Sequence, residues 1–236
     1  TLYIDHVRLD PDAGQKKVLV RVCLAGKTDS ADGELLLQAE NSDGTPVGKA
    51  VHLTAEKGNQ ELKAEVDLED QVRLWSAETP DLYRMRVTLN TPQGADEQIV
   101  SFGFRDFRAQ GTRFEINGRP VFLRGTLEYC VFPLTGYPAM DKDYWKKIYG
   151  KCKEYGLNHV RFHSWCPPEA ACSVADSMGL YLQGECGAWA EVGSGLPQDE
   201  WIRQAGDRIL KEYGNHPSFC LLAYGNEPSG NRQADY

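Results

Sequence analysis

The spacing of apolar residues changes once along this chain, and that change limits what it can fold into more than any other feature. Through about the first hundred residues, apolar and polar side chains alternate. In KVLVRVCLAG, Val18, Val20, Val22 and Leu24 alternate with Leu19, Arg21 and Cys23. In ELKAEVDL, Leu62, Ala64, Val66 and Leu68 alternate with charged residues, and LYRMRVTL sets Tyr83, Met85, Val87 and Leu89 against Arg84, Arg86 and Thr88. A period of two marks strands with one buried face. Turn clusters separate the runs: AGKTDSADG, NSDGTPVG and NTPQG, with DLEDQ reading as a solvated turn. Several strands at this spacing predict an antiparallel β-sandwich, with no helix of ordinary length.

After about Gln110 the rhythm becomes strand, helix, strand. RPVFLRG reads as a strand. DYWKKIYGKCKEY places Tyr144, Trp145, Ile148, Tyr149, Cys152 and Tyr155 on one helical face, Gly156 caps it, and LNHVRFHSW is the next strand. PEAACSVADSM is a short helix with Pro168 near its first turn; Gly179 stops it before the strand LYLQGEC. A third copy runs from Asp199, with Trp201, Ile202, Ala205, Ile209, Leu210 and Tyr213 as its stripe, Gly214 as its stop and SFCLLAYGNE as its strand. Such repetition means parallel strands with right-handed crossovers.

Four strands and three helices fit either an open doubly wound sheet or part of a barrel. The doubly wound nucleotide-binding fold needs a glycine-rich turn after its first strand. LEYCVFPLTGY, which follows RGT, has none. A barrel places its chemistry where strands end on one face. Those ends carry Glu128, His163, Glu185 and Glu227. The last is the most pointed, because LLAYGNEPSG runs an apolar strand directly into Asn226 and Glu227. A carboxylate is costly to bury without partners, so such a strand is either leaving the core for water or placing an acid.

Bulk properties remove several classes of function. The formal net charge of −8 argues against a nucleic-acid footprint or a polybasic membrane patch. No apolar run approaches the roughly 18 residues of a membrane span. The opening TLYIDHVRLD lacks a signal-peptide pattern, as a mature secreted or periplasmic chain also would, so the compartment stays open. The seven cysteines form no CxxC pair and no zinc-ligand spacing, and read as small core residues.

Taken together, these stretches resemble glycoside hydrolase family 2, the group of β-galactosidases, β-glucuronidases and β-mannosidases. LWSAETPDLYRMRVTL is similar to the signature near the end of that family's immunoglobulin-like domain. SFGFRDFRAQGTRFEINGRPVFLRG resembles its passage from sandwich into barrel. HVRFHSW, ADSMGLYLQGE and NHPSFCLLAYGNE match successive barrel segments in order. The resemblance implies a multi-domain chain: an immunoglobulin-like antiparallel β-sandwich over residues 1–108, then the N-terminal half of a (β/α)8 TIM barrel over 109–236. It implies a retaining hydrolase acting from the end of a β-linked sugar such as a β-galactoside or β-glucuronide. Glu227 matches the acid/base of that family and Asn226 its neighbour at the sugar 2-hydroxyl. Arg161 and His163 match its Arg and His after the second strand, and Glu185 the acid ending the third. A departing alkoxide needs a proton, and a carboxyl in a partly dry pocket has its pKa raised enough to give one.

The chain also departs from the family pattern. HSWCPPEAA replaces the commoner His-Tyr-Pro, LEYC replaces an Asn-x-His, so that no role passes to Glu128, and LLAYGNE lacks the usual Trp-Ser. GECGAWAE lacks the Glu-and-His pattern of magnesium-dependent β-galactosidases, so no metal and no cofactor are expected. Retaining glycosidases need two carboxyl groups about 5–5.5 Å apart, and the family's nucleophile ends the seventh strand. Residues 109–236 are about half of the roughly 250 that a full barrel takes. The expectation is therefore a fragment whose nucleophile lies beyond its end, inactive alone, and prone to self-associate through open barrel edges. Glu185 at a neighbouring strand end is near enough to substitute as nucleophile, although the family gives that no support.

Plainer roles compete at each position. The competing readings are Glu227 as a solvated strand-end acid, His163 as a core residue between Phe162 and Trp165, and Glu185 as the ion-pair partner of Arg161. Trp165 and Trp189 suit either packing or a platform for the C–H faces of a pyranose. The alternative function is a non-catalytic carbohydrate-binding or scaffold module. A carbohydrate is the partner expected in either case, with neither nucleic acid nor membrane.

Overall fold

Alternation builds an all-β first unit. The computed structural model describes residues 2–26, 32–56, 58, 60–69, 72–193 and 195–230. One compact unit comprises Thr1–Trp75 with Asp81–Asp106, and a second comprises Ser76–Pro80 with Phe107–Tyr236. In the first, β1 (Leu2–Asp12), β2 (Lys17–Gly26) and β5 (Glu61–Asp67) form one antiparallel sheet. A second contains β4 (Pro46–Ala55), β3 (Gly33–Asn41), β6 (Tyr83–Thr91) and β7 (Gly94–Phe102) in that order. Val18, Val20, Val22 and Leu24 of β2 are buried with Tyr83, Met85, Val87 and Leu89 of β6 in a single core, as their period requires. In β1 the buried set shifts phase, from Leu2 and Ile4 to Val7 and Leu9, because a bulge falls between Ile4 and His6. Of the turn clusters, NSDGTPVG and NTPQG join β3 to β4 and β6 to β7. Residues 27–31 of AGKTDSADG and residues 70–71 of DLEDQ lie outside the described residues.

The second unit opens on an antiparallel meander, β8 (Phe107–Gln110), β9 (Arg113–Ile116) and β10 (Arg119–Val121). This corrects the reading of RPVFLRG as the first parallel strand. Its Arg-Pro-Val pairs backwards with β9, because Asn117 and Gly118 adopt positive φ (52° and 74°) and turn the chain in a tight hairpin. The first parallel strand is β11 (Gly125–Glu128). It is followed by α1 (Lys142–Glu154), β12 (His159–Phe162), α2 (Glu169–Met178), β13 (Tyr181–Glu185), α3 (Pro197–Tyr213) and β14 (Phe219–Ala223). The four strands pair in chain order, all parallel. An antiparallel sandwich followed by a parallel strand-helix array is the fold class the sequence predicts.

The helices bury narrower stripes than their sequences suggest. On α1, Trp145, Tyr149 and Cys152 face the core, each large side chain contributing about 1.5–3 kcal/mol by leaving water. Tyr155 instead lies outside at 83% exposure, because it is the C-cap residue, and Gly156 beyond it takes the left-handed turn at φ 74°. On α3, Ile202 and Ala205 are buried while Trp201 and Leu210 stand about half exposed. The cysteine reading holds for Cys152, Cys172 and Cys186, which are buried, but not for Cys130, which is exposed in the loop after β11; all seven are free thiols.

Candidate active site

Parallel pairing in register brings the ends of β11 to β14 together. At the centre lies Glu185, the last residue of β13, with a fully buried side chain. It survives there because donors surround it. Arg161 Nε donates to Glu185 Oε1 at 2.6 Å, Gln183 Nε2 to the same oxygen at 3.2 Å, and the backbone N–H of Ser164 to Oε2 at 2.7 Å. Arg161, on β12, spends a second edge on Asn226: its Nη2 donates to Asn226 Oδ1 at 2.8 Å. Three of the predicted residues, Arg161, Glu185 and Asn226, thus form one connected frame. The ion-pair reading of Glu185 is the one its contacts support, and its acceptor sites are committed.

His163 and Trp165 follow β12. His163 is half-buried, stacks on Tyr129 with ring centroids 5.0 Å apart, and lies 3.3 Å from Ser164 Oγ through Nδ1. Trp165 donates from Nε1 to the Glu128 carbonyl at 3.3 Å and meets Phe132 and Phe162 edge-on. These contacts belong to packing, so the indole supports the loop after β11 rather than offering a free face. Glu128 ends β11, and its Oε2 accepts from the Cys130 N–H at 2.9 Å; burial pushes its carboxyl above the usual range, against that hydrogen bond. The loop from Val131 to Asp141, with Tyr144 of α1, lines an open apolar cleft of about 660 Å³ that none of the charged frame residues reaches. Burial also pushes the Cys166 thiol up to about 12, which leaves it inert as a nucleophile.

Glu227 differs from its expected setting. β14 ends at Ala223, so the Asn-Glu pair lies in the following loop rather than on the strand, and Glu227 is exposed while Asn226 is buried. The expected partly dry pocket is not around this carboxyl in the described chain. What holds the pair is a second run of backbone pairing. Cys186 N–H donates to Ala223 O, Asn226 N–H to Ala188 O, Ser229 N–H to Ala190 O and Val192 N–H to Ser229 O, at 2.7–3.1 Å. Gly225 and Gly230 permit that approach, since a Cβ would stand 2.2 Å from the Ala188 carbonyl oxygen or 2.1 Å from that of Val192. These two glycines are the sequence signal that could have located the pairing.

Backbone strain gathers at the same strand ends. Cys130 follows β11, Ser164 follows β12 and Glu227 follows β14, and each is a non-glycine residue at positive φ, 58°, 61° and 45°. Such conformations cost about 1–3 kcal/mol each and cluster at functional sites.

Comparison with known proteins gives a family likeness and a fold. The family model described as glycosyl hydrolases family 2 matches residues 2–105. A β-galactosidase of Halalkalibacterium halodurans is 27% identical over 96% of this chain and 24% of its own length, and one of Enterobacter cloacae is 27% identical over 94% and 23%.

Over residues 2–105 the chain is similar to glycosyl hydrolases family 2.

Among solved structures, Bacteroides uniformis β-glucuronidase 2, covalently bound to cyclophellitol-6-carboxylate aziridine, superposes with a TM-score of 0.83 at 21% identity, covering 100% of this chain and 30% of that one. Parabacteroides merdae β-glucuronidase gives 0.79 at 20% identity, covering 95% and 29%. At these identities the structures speak for the fold. The chain spans about a quarter of the length of these curated relatives.

Proposed function

We propose that this chain carries the acid/base half of a retaining β-glycosidase site, with Glu227 as the proton donor to the departing sugar oxygen and Asn226 as its substrate-binding neighbour. The observation that supports this most is the pairing of a locked residue with a strained one. Arg161 fixes the Asn226 amide, while Glu227, one residue later, is held at a positive φ with its carboxyl in solvent at the strand ends. A merely solvated acid needs no such frame. In this reading Arg161 and Glu185 are positioning residues, and His163, stacked on Tyr129, borders the sugar.

Retention needs a second carboxylate about 5–5.5 Å from the first. Glu185 is spent on Arg161, Gln183 and the Ser164 amide, so we assign the nucleophile to none of the described residues. The chain by itself then has no turnover. The sugar is a β-linked galactoside or glucuronide, the two classes named among its relatives, and neither a metal nor a cofactor is proposed. Self-association through the outer strands β11 and β14 belongs to the same reading, and is checked by gel filtration of the isolated chain.

The test is Glu227→Gln in the whole protein that carries this chain. Loss of general acid catalysis should lower kcat/KM about 10²–10⁴-fold for alkyl or sugar leaving groups. Glycosyl fluorides and dinitrophenyl glycosides, which depart unprotonated, should be affected far less. An equal loss across both leaving-group classes, or unchanged hydrolysis, would remove Glu227 from the acid role, and sugar binding without hydrolysis by the wild-type protein would favour the binding-module alternative.

A further inference from the structure

We infer that Trp189 is the platform for the leaving group, so that the whole protein favours β-glycosides whose departing part presents a flat apolar face, a second pyranose or an aromatic ring. This rests on the acid/base reading of Glu227 and extends it.

The argument begins with the backbone pairing beyond β13 and β14. Asn226 N–H bonds to Ala188 O, and Ser229 N–H bonds to Ala190 O. Between those two bonds one chain contributes Trp189 and the other contributes Glu227 and Pro228. The Glu227 side therefore carries one extra residue, and the left-handed φ of Glu227 absorbs it as a bulge does. Bulges of this kind re-aim a side chain. Trp189 and Glu227 are thus opposite one another across a short parallel pairing, tied on both sides by hydrogen bonds.

The direction of the indole follows from its neighbours. Cys186, Ala188 and Val192 are buried in one apolar cluster with Ile202 and Ala205 of α3. Trp189, between them, faces the other way and is 71% exposed. Its segment is held in place: Asp199 accepts from Gly193 N–H at 2.8 Å and Leu196 N–H at 2.9 Å, and Gln198 Nε2 donates to Glu191 O at 3.0 Å. An indole left in water on a backbone held in this way contributes little to folding, since its large apolar face stays unburied. Ligand sites, by contrast, gain from aromatic faces with fixed geometry. The acid/base carboxyl protonates the oxygen that leaves, so the group next to it is the leaving group. An aromatic side chain carried opposite the residue that bears that carboxyl therefore meets the departing part of the substrate rather than the sugar that is retained.

The experiment compares Trp189→Ala and Trp189→Phe with wild type and Glu227→Gln in the whole protein, using three β-galactosides and the matching β-glucuronides: a disaccharide, the 4-nitrophenyl glycoside and the glycosyl fluoride. Trp189→Ala should raise KM about tenfold for the disaccharide and nitrophenyl substrates, equivalent to about 1.4 kcal/mol. It should leave the fluoride, which has no organic leaving group, within twofold. Trp189→Phe should keep most of the affinity. Equal losses on all three substrates, or no loss on any, overturn the platform while leaving Glu227 untouched. The acid/base reading fails separately, if Glu227→Gln shows no dependence on leaving group, or if wild type hydrolyses none of the glycosides, and the platform then falls with it.

Discussion

Arg161→Met is the perturbation that tests the frame most directly. Methionine keeps much of the aliphatic stem and removes only the guanidinium. Two charge-assisted contacts go, to Glu185 Oε1 at 2.6 Å and Asn226 Oδ1 at 2.8 Å. Removing one member of a buried pair costs about 3–5 kcal/mol, chiefly because the other charge is stranded. Two features reduce that here. Arg161 is 31% exposed, so water screens the pair, and Glu185 keeps the donors from Ser164 and Gln183. The expected loss is about 2–3 kcal/mol. With urea slopes of about 1–3 kcal/mol/M, the transition reporting Trp145 and Trp165 should move down by about 0.7–3 M. Glu185→Gln and the double variant complete a cycle, in which the double variant should recover at least about 1.5 kcal/mol of the summed losses. Amide exchange at Ser164 and Asn226 should accelerate in Arg161→Met. An Arg161→Met midpoint within error of wild type, or strictly additive losses, would refute the frame as the element that positions Asn226.

Three other outcomes are expected. Tyr149→Phe should raise stability by about 1 kcal/mol in urea titration, because the Tyr149 hydroxyl is the buried side-chain polar atom without a hydrogen-bond partner among the described residues. His216 sits on Asp176, whose other oxygen accepts the Ser218 N–H, just before β14. Burial lowers the His216 pKa, but the Asp176 hydrogen bond and charge, with Glu169 and against Lys142, raise it overall. A raised histidine contributes stability that is complete below its unfolded pKa of about 6.5 and is lost as pH rises through the folded value. Melting temperature should therefore fall from pH 6 to pH 8, and His216→Gln should flatten that slope. Glu128 is raised chiefly by burial, so its ionisation opposes folding above the ordinary carboxylate range. Glu128→Gln should be more stable than wild type at pH 7, and that advantage should disappear at pH 3, where both side chains are neutral.

Much of the fold was legible because its signals are local. Alternation in β2 and β6 needs only near neighbours, and each apolar set is buried as its period demands. Glycines after the helices and the strand-helix repetition likewise identified β12 to β14 and all three helices. RPVFLRG was misread because a short apolar run carries no information about which strand it pairs with. Of the site, the residue types at the strand ends were readable, and Arg161, Glu185 and Asn226 do meet. Which of them would be spent on each other was not readable, since Glu185 is buried by donors from residues 161, 164 and 183. The same holds for Trp165 and Trp189, equivalent as letters, one supporting a loop and the other left in water.

The order of elements, the faces they bury and the acids that end the strands are written in the chain, because each depends on residues a few positions apart. Whether a carboxyl is clamped or free, and which indole stands opposite Glu227, depends on hydrogen bonds between residues tens of positions apart. Those exist only once four parallel strands have fixed their register and the chains beyond them have paired, and that decision belongs to the tertiary structure.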